Sequence, residues 1–110
     1  MIEIIEYLDR YDTSPFAKWF DELESRAAAK VTTAITRVAC GNFSNVKGVG
    51  SGVFEFCIDY GPGYRVYFGK DGDRLVILLA GGTKKRQQRD IDAAQERWIC
   101  LLYTSDAADE

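Results

Sequence analysis

Residues Val53–Ala80 read VFEFCIDYGPGYRVYFGKDGDRLVILLA, and the fold follows from how that stretch divides. Phe54, Phe56 and Ile58 alternate with Glu55, Cys57 and Asp59, the period of a half-buried strand, with Val53 outside that phase. Glu55 and Asp59 fall on the polar side and are read as solvated. Gly61-Pro62-Gly63 turns the chain. The next strand opposes Tyr64, Val66 and Phe68 to Arg65 and Tyr67, and Lys70-Asp71-Gly72-Asp73 supplies a second hairpin turn. Arg74–Ala80 is apolar on both faces, as a central strand covered on both sides should be. Three consecutive antiparallel strands result.

Upstream, residues 2–8 (IEIIEYL) are short and β-branched, which favours a strand. Asp12-Thr13-Ser14-Pro15 then starts a helix: Ser14 caps free backbone N–H groups, and Pro15 takes the first helical position, where its missing N–H costs nothing. Phe16, Trp19, Phe20 and Leu23 form one apolar helix face. A second helix is predicted over Ser25–Ala39 from Ala27, Ala28, Val31, Ala34, Ile35 and Val38, closed by Gly41-Asn42. The pair reads as a helical hairpin. Residues 41–52 (GNFSNVKGVGSG) hold no apolar period and are read as a loop.

Downstream of Gly81-Gly82, a helix from about Lys85 to Trp98 carries Ile91, Ala94 and Trp98 at helical spacing. The expected class is α+β in the order β-α-α-β-β-β-α: a small, antiparallel-dominated sheet, the helical hairpin on one face, a C-terminal helix, and a second face partly open. Residues 1–100 form a single domain. Residues 101–110 read as a non-native tail, because LLYTSDAADE continues no apolar face and resembles the translated sequencing-adapter fragments that end some assembled environmental genes.

Composition narrows the chemistry. The 110 residues are 46% apolar and 28% charged, as in an ordinary globular domain. The longest apolar run, Leu75–Ala80, is far too short to span a membrane, and the acidic amino terminus is unlike a signal peptide, so a cytoplasmic protein without membrane contact is expected. Three cysteines without CxxC spacing, and no histidine, argue against a metal site and for reduced thiols. The missing histidine also removes serine–histidine and cysteine–histidine nucleophile pairs. Any catalysis falls to Lys, Arg, Tyr, Asp or Glu.

The net charge of -3 hides an asymmetry. Residues 1–24 hold seven acids against Arg10 and Lys18, whereas residues 25–100 hold twelve cations against seven acids. Four of those cations crowd into Lys84-Lys85-Arg86-Gln87-Gln88-Arg89, where a strand ends and a helix begins. One face could meet a polyanion, although a pI near 5.0 speaks against strong nonspecific binding.

The run Gly52–Trp98, with GPGYRVYF followed by LLxGGxKxxQxxDI, resembles the RelE/ParE toxin superfamily and within it the HigB-like "addiction module killer" branch. The resemblance extends over residues 1–98. It implies a small toxin silenced by a cognate antitoxin, a small helix-turn-helix protein, and active when free as an endoribonuclease cutting messenger RNA on the ribosome. No cofactor is implied.

By position in those motifs, Arg65 would stabilise transition-state charge, and Lys84, with Lys85, would bind phosphate or move a proton. Arg86 and Arg89 would meet RNA at the helix start, joined by Tyr67 on the face of Arg65 and, more weakly, by Tyr60. Arg65 also admits a plainer role, a surface ion pair with Glu55 or Asp59 worth about 0–1 kcal/mol. Cys57 stands where relatives commonly carry arginine, which opens the reading of a weakened toxin that keeps only antitoxin binding. ParE-type relatives, which poison DNA gyrase without cleaving RNA, supply the other alternative.

Overall fold

In a computed structural model, residues 1–108 are described, with side chains as far as residue 103. The chain runs through β1 (Glu3–Glu6), α1 (Pro15–Asp21), α2 (Ser25–Ala39), β2 (Val46–Gly50), β3 (Val53–Ile58), β4 (Tyr64–Asp71), β5 (Leu75–Thr83), a 3-10 turn (Lys84–Arg86) and α3 (Gln87–Ala108). The five strands lie in the order β1-β5-β4-β3-β2. β2, β3, β4 and β5 form an antiparallel meander, and β1 returns parallel to β5. The α+β architecture expected from the sequence is present, with one strand more than expected.

That strand, β2, lies in the segment read as a loop. Lys47 pairs with Glu55, and the register slips between Gly48 and Gly50; Val46 packs on one side of the sheet and Val49, three residues on, on the other. A bulge and two glycines erase the period-two signal from which a strand is recognised.

Local signals place the helical hairpin. Ser14 Oγ accepts from the Ala17 amide at 3.0 Å, and Pro15 opens α1. Helix α2 buries Ala27, Val31, Val38 and Ala39. With Phe16, those helices cover Phe56, Ile58, Val66, Phe68, Val76 and Leu78 on one face of the sheet.

The other face is not left open. α3 lies across it, burying Ala94 and Trp98 against Val53, Tyr67, Ile77 and Leu79. Full burial of each large apolar side chain contributes about 1.5–3 kcal/mol, so the sheet is held from both sides. Two glycines permit the close approach: a Cβ at Gly69 would enter the ring of Trp98, and one at Gly81 the ring of Trp19. The chain reaches α3 through the 3-10 turn, one residue earlier than the expected helix start. The helix continues past Trp98 to Ala108, into the segment read as a non-native tail; residues 109 and 110 of that tail lie outside the described residues. No described helix is long and apolar enough to cross a membrane.

Candidate nucleic-acid interface

The register of the sheet decides which side chains share a face. Lys47 stands opposite Glu55, Glu55 opposite Tyr67, Cys57 opposite Arg65, and Arg65 opposite Gly82. All of them therefore project to the α3 side, at the end of the sheet where β5 passes into the 3-10 turn. The Gly61-Pro62-Gly63 turn brings two expected residues together. The Gly63 carbonyl accepts the Lys84 backbone N–H at 2.9 Å and the Arg65 guanidinium at 3.3 Å. Gly63 itself has φ +81, and a Cβ there would lie 3.4 Å from Arg65 Nη1 and 3.6 Å from Lys84 Cβ. Glycine lets this carbonyl sit between the Arg65 guanidinium and the Lys84 backbone.

Glu55 is the centre of the arrangement and is fully buried. Its Oε2 accepts from Gln87 Nε2 at 2.9 Å and lies 3.7 Å from Arg65 Nε, while Oε1 meets Lys47 Nζ at 3.4 Å and the Cys57 thiol at 3.5 Å. Burial alone would raise its pKa, but the neighbouring Gln87, Tyr67 and Cys57 side chains, with the Lys47 charge, outweigh it and hold the carboxyl below its ordinary value. Glu55 is thus a buried, ionised anchor, contrary to its reading as a solvated strand residue. The pair expected for Arg65 exists, but inside the protein: the Arg65 side chain is 12% exposed.

Tyr67 does not reach the surface. It is fully buried, and burial together with the Glu55 charge raises its pKa strongly. Its hydroxyl lies outside hydrogen-bond geometry with any described group. A buried phenol cannot stack on a base, so its expected RNA contact is withdrawn. Tyr60 lies on the opposite face, packed on the helical-hairpin core, and donates to Glu24 Oε1 at 3.0 Å. That bond raises the Tyr60 pKa, and Lys30 Nζ sits 5.7 Å from the ring centroid. The structure does not bring Tyr60 to Arg65.

Lys84, Lys85 and Arg86 occupy the 3-10 turn and are exposed, as is Arg89 on the first turn of α3. Among them Asp90 is half-buried over Gly82, where any Cβ would collide with its carboxylate. Burial raises the Asp90 pKa, opposed by Arg86, Arg89 and Arg97, and its Oδ2 has no hydrogen-bond partner among the described groups. Each glycine of the Gly81-Gly82 pair therefore clears room for a side chain on its own face of the sheet, Trp19 on one and Asp90 on the other. Cys57 is half-buried, and burial with the Glu55 charge raises its thiol pKa. The thiol is a donor to Glu55, not a nucleophile in waiting.

Three members of this site escaped the sequence. Lys47 lies in the segment without an apolar period, Glu55 on the polar side of its strand, and Gln87 between the lysine and the aspartate of LLxGGxKxxQxxDI. The spacing of that motif was the available signal: Lys84, Gln87 and Asp90 recur every three residues, along one side of a tight helical start. Among the described residues no group of His, Cys, Asp or Glu gathers where a metal ion would sit.

A small α+β domain with a basic site beside the β4–β5 end is the class these features define. Residues 18–98 match the family described as "Phage derived protein Gp49-like (DUF891)", and the chain belongs to that family. The family is toxin-like and related to the RelE/ParE toxins. A protein of Haemophilus influenzae described only as an uncharacterized protein is 45% identical over 84 residues, 76% of this chain and 85% of its own length.

Proposed function

We propose that this chain is the toxin of a type II toxin–antitoxin pair, of the HigB-like branch, and a ribosome-dependent messenger-RNA endoribonuclease of the cytoplasm that a small helix-turn-helix antitoxin keeps silent. One observation carries the reading: the Arg65 guanidinium of β4 and the backbone N–H of Lys84, at the start of the 3-10 turn, share the Gly63 carbonyl at 3.3 and 2.9 Å, with Lys85 and Arg86 exposed next to them. Attack of a ribose 2′-OH on the neighbouring phosphate forms a 2′-O–P bond and breaks the P–O5′ bond. The step needs a proton acceptor, a proton donor to the leaving 5′ oxygen, and cations around a phosphorane of increased negative charge. Arg65, fixed by Glu55 and unable to lose its proton, suits the charge. Lys84 and Lys85 suit phosphate binding and proton movement, and Arg86 and Arg89 the flanking strand.

The test is inducible expression of the chain and of Arg65→Ala, with 5′ ends of cellular transcripts mapped. Growth arrest with new 5′ ends inside coding regions, both lost in the variant, is the expected result. Arrest with intact transcripts and broken chromosomes would transfer the chain to the gyrase-poisoning class.

A further inference from the structure

We infer that Lys47 is a phosphate-binding residue of the same site, contributed by edge strand β2 and taking the backbone of single-stranded RNA; this inference rests on the reading of the site as one for RNA. Three observations carry it. Lys47 stands directly opposite Glu55 in the β2–β3 register, so its side chain shares the face of Cys57 and Arg65. Its ammonium is held 3.4 Å from Glu55 Oε1 while Arg65 takes Oε2, so one buried carboxylate spaces two cations side by side. The two differ in access: the Lys47 side chain is 60% exposed, that of Arg65 12% and that of Glu55 not at all. The cation most open to an incoming phosphate in this cluster is therefore the one on β2.

The carboxylate also explains why the ammonium is pre-positioned. An exposed lysine on an edge strand ordinarily samples many rotamers and loses that freedom on binding. Here the charge partner lies beneath the sheet surface and holds one orientation, leaving donors of the ammonium directed outward. Cys57 contacts the same oxygen, Oε1, at 3.5 Å. A longer cation at position 57 would thus reach the place that Lys47 fills from the neighbouring strand. With Lys47 included, the site extends from the 3-10 turn across β4 and β3 to β2, a path for several nucleotides.

The experiment measures binding of the full chain to a 12-nucleotide 2′-O-methyl oligouridylate, which cannot be cleaved, from 20 to 200 mM salt. Each phosphate contact contributes about 0.7 to the slope of log affinity against log salt for a single strand, which amounts to roughly fivefold in affinity at 0.1 M. Lys47→Gln should lower the slope and the affinity by about those amounts, Lys47→Arg should keep both, and Cys57→Arg added to Lys47→Gln should restore them. Lys70→Gln is the control, since Lys70 lies over the Phe43 ring on the opposite face, at 4.6 Å, and should change nothing. Lys84→Gln separates the two levels of claim. If Lys84→Gln weakens binding and Lys47→Gln does not, the role of Lys47 is overturned and the site stands. If neither weakens it, or the unsubstituted chain fails to bind at 20 mM salt, the RNA reading of the site falls and takes the inference with it. Urea denaturation of Lys47→Gln, expected to match the parent closely, keeps a folding defect from passing as lost binding.

Discussion

At the scale of single residues, the buried Glu55 and the half-buried Asp90 oppose each other in pH dependence. Glu55 is held below its ordinary value near 4.5 by its partners, so its contribution to stability is present above that value and is lost as pH falls through the lower folded pKa. Asp90 has a raised folded pKa because burial outweighs its arginines, so its contribution is present below 3.8 and is lost as pH rises through the folded value. Glu55→Gln should therefore destabilise the chain by about 1–3 kcal/mol at pH 7, by leaving a buried arginine without its counter-charge, and the difference should close in acid. Asp90→Asn should do the reverse, stabilising at pH 7 and converging with the parent below the ordinary carboxylate range. Urea midpoints from pH 3 to 7 decide both, and parallel curves for either variant would contradict its assignment. Neither role was legible in the sequence: strand alternation marks the face of Glu55 as polar without revealing that a later helix closes over it, and the seat of Asp90 over Gly82 is a contact between elements. Arg65 and Lys84 were singled out by their places in GPGYRVYF and LLxGGxKxxQxxDI; local features, the glycine-proline-glycine turn and the strand end, marked where along the chain they stand.

At the scale of elements, the signals that worked were those with short range. The Ser14-Pro15 start of α1 and the Ser25–Ala39 span of α2 came out as read, since caps and a 3.6-residue period are written within one turn of chain. Ser14→Ala should cost about 1 kcal/mol, the usual value of an N-cap, measured by thermal or urea unfolding. β2 failed for a physical reason: its two valines, three residues apart, face opposite sides, glycines and a bulge take the places where the alternation would show, and its partner strand, not its own sequence, enforces the pairing. The covering of the second face by α3 also depends on a contact between distant elements, the seat of Trp98 on Gly69. Gly69→Ala should cost about 1–3 kcal/mol through overpacking. Joined to Trp98→Leu, it should cost clearly less than the sum of the two single changes, because the smaller side chain removes the clash. Strict additivity in the double variant would mean that the glycine serves the strand and not the helix above it.

At the scale of the whole molecule, the charge asymmetry of the sequence becomes a spatial one. The acidic β1, with Glu3 and Glu6 exposed, lies at one edge of the sheet, and Lys47 of β2 at the other. Four inter-strand steps of about 4.8 Å separate the edges by roughly 19 Å. Screening lengths decide whether that distance matters: about 8 Å at 0.15 M salt and about 30 Å at 0.01 M. Two unit charges 19 Å away repel a phosphate by about 0.4 kcal/mol in unscreened water, which falls to roughly 0.2 kcal/mol at 0.01 M and to almost nothing at 0.15 M. Replacing Glu3 and Glu6 together by Gln should therefore speed association with the oligouridylate about 1.5-fold at 10 mM salt and leave it unchanged at 150 mM, as stopped-flow fluorescence would show. An acceleration that survived 150 mM salt would require the strand to pass within a screening length of β1. The contact would then lie along the edge of the sheet opposite Lys47.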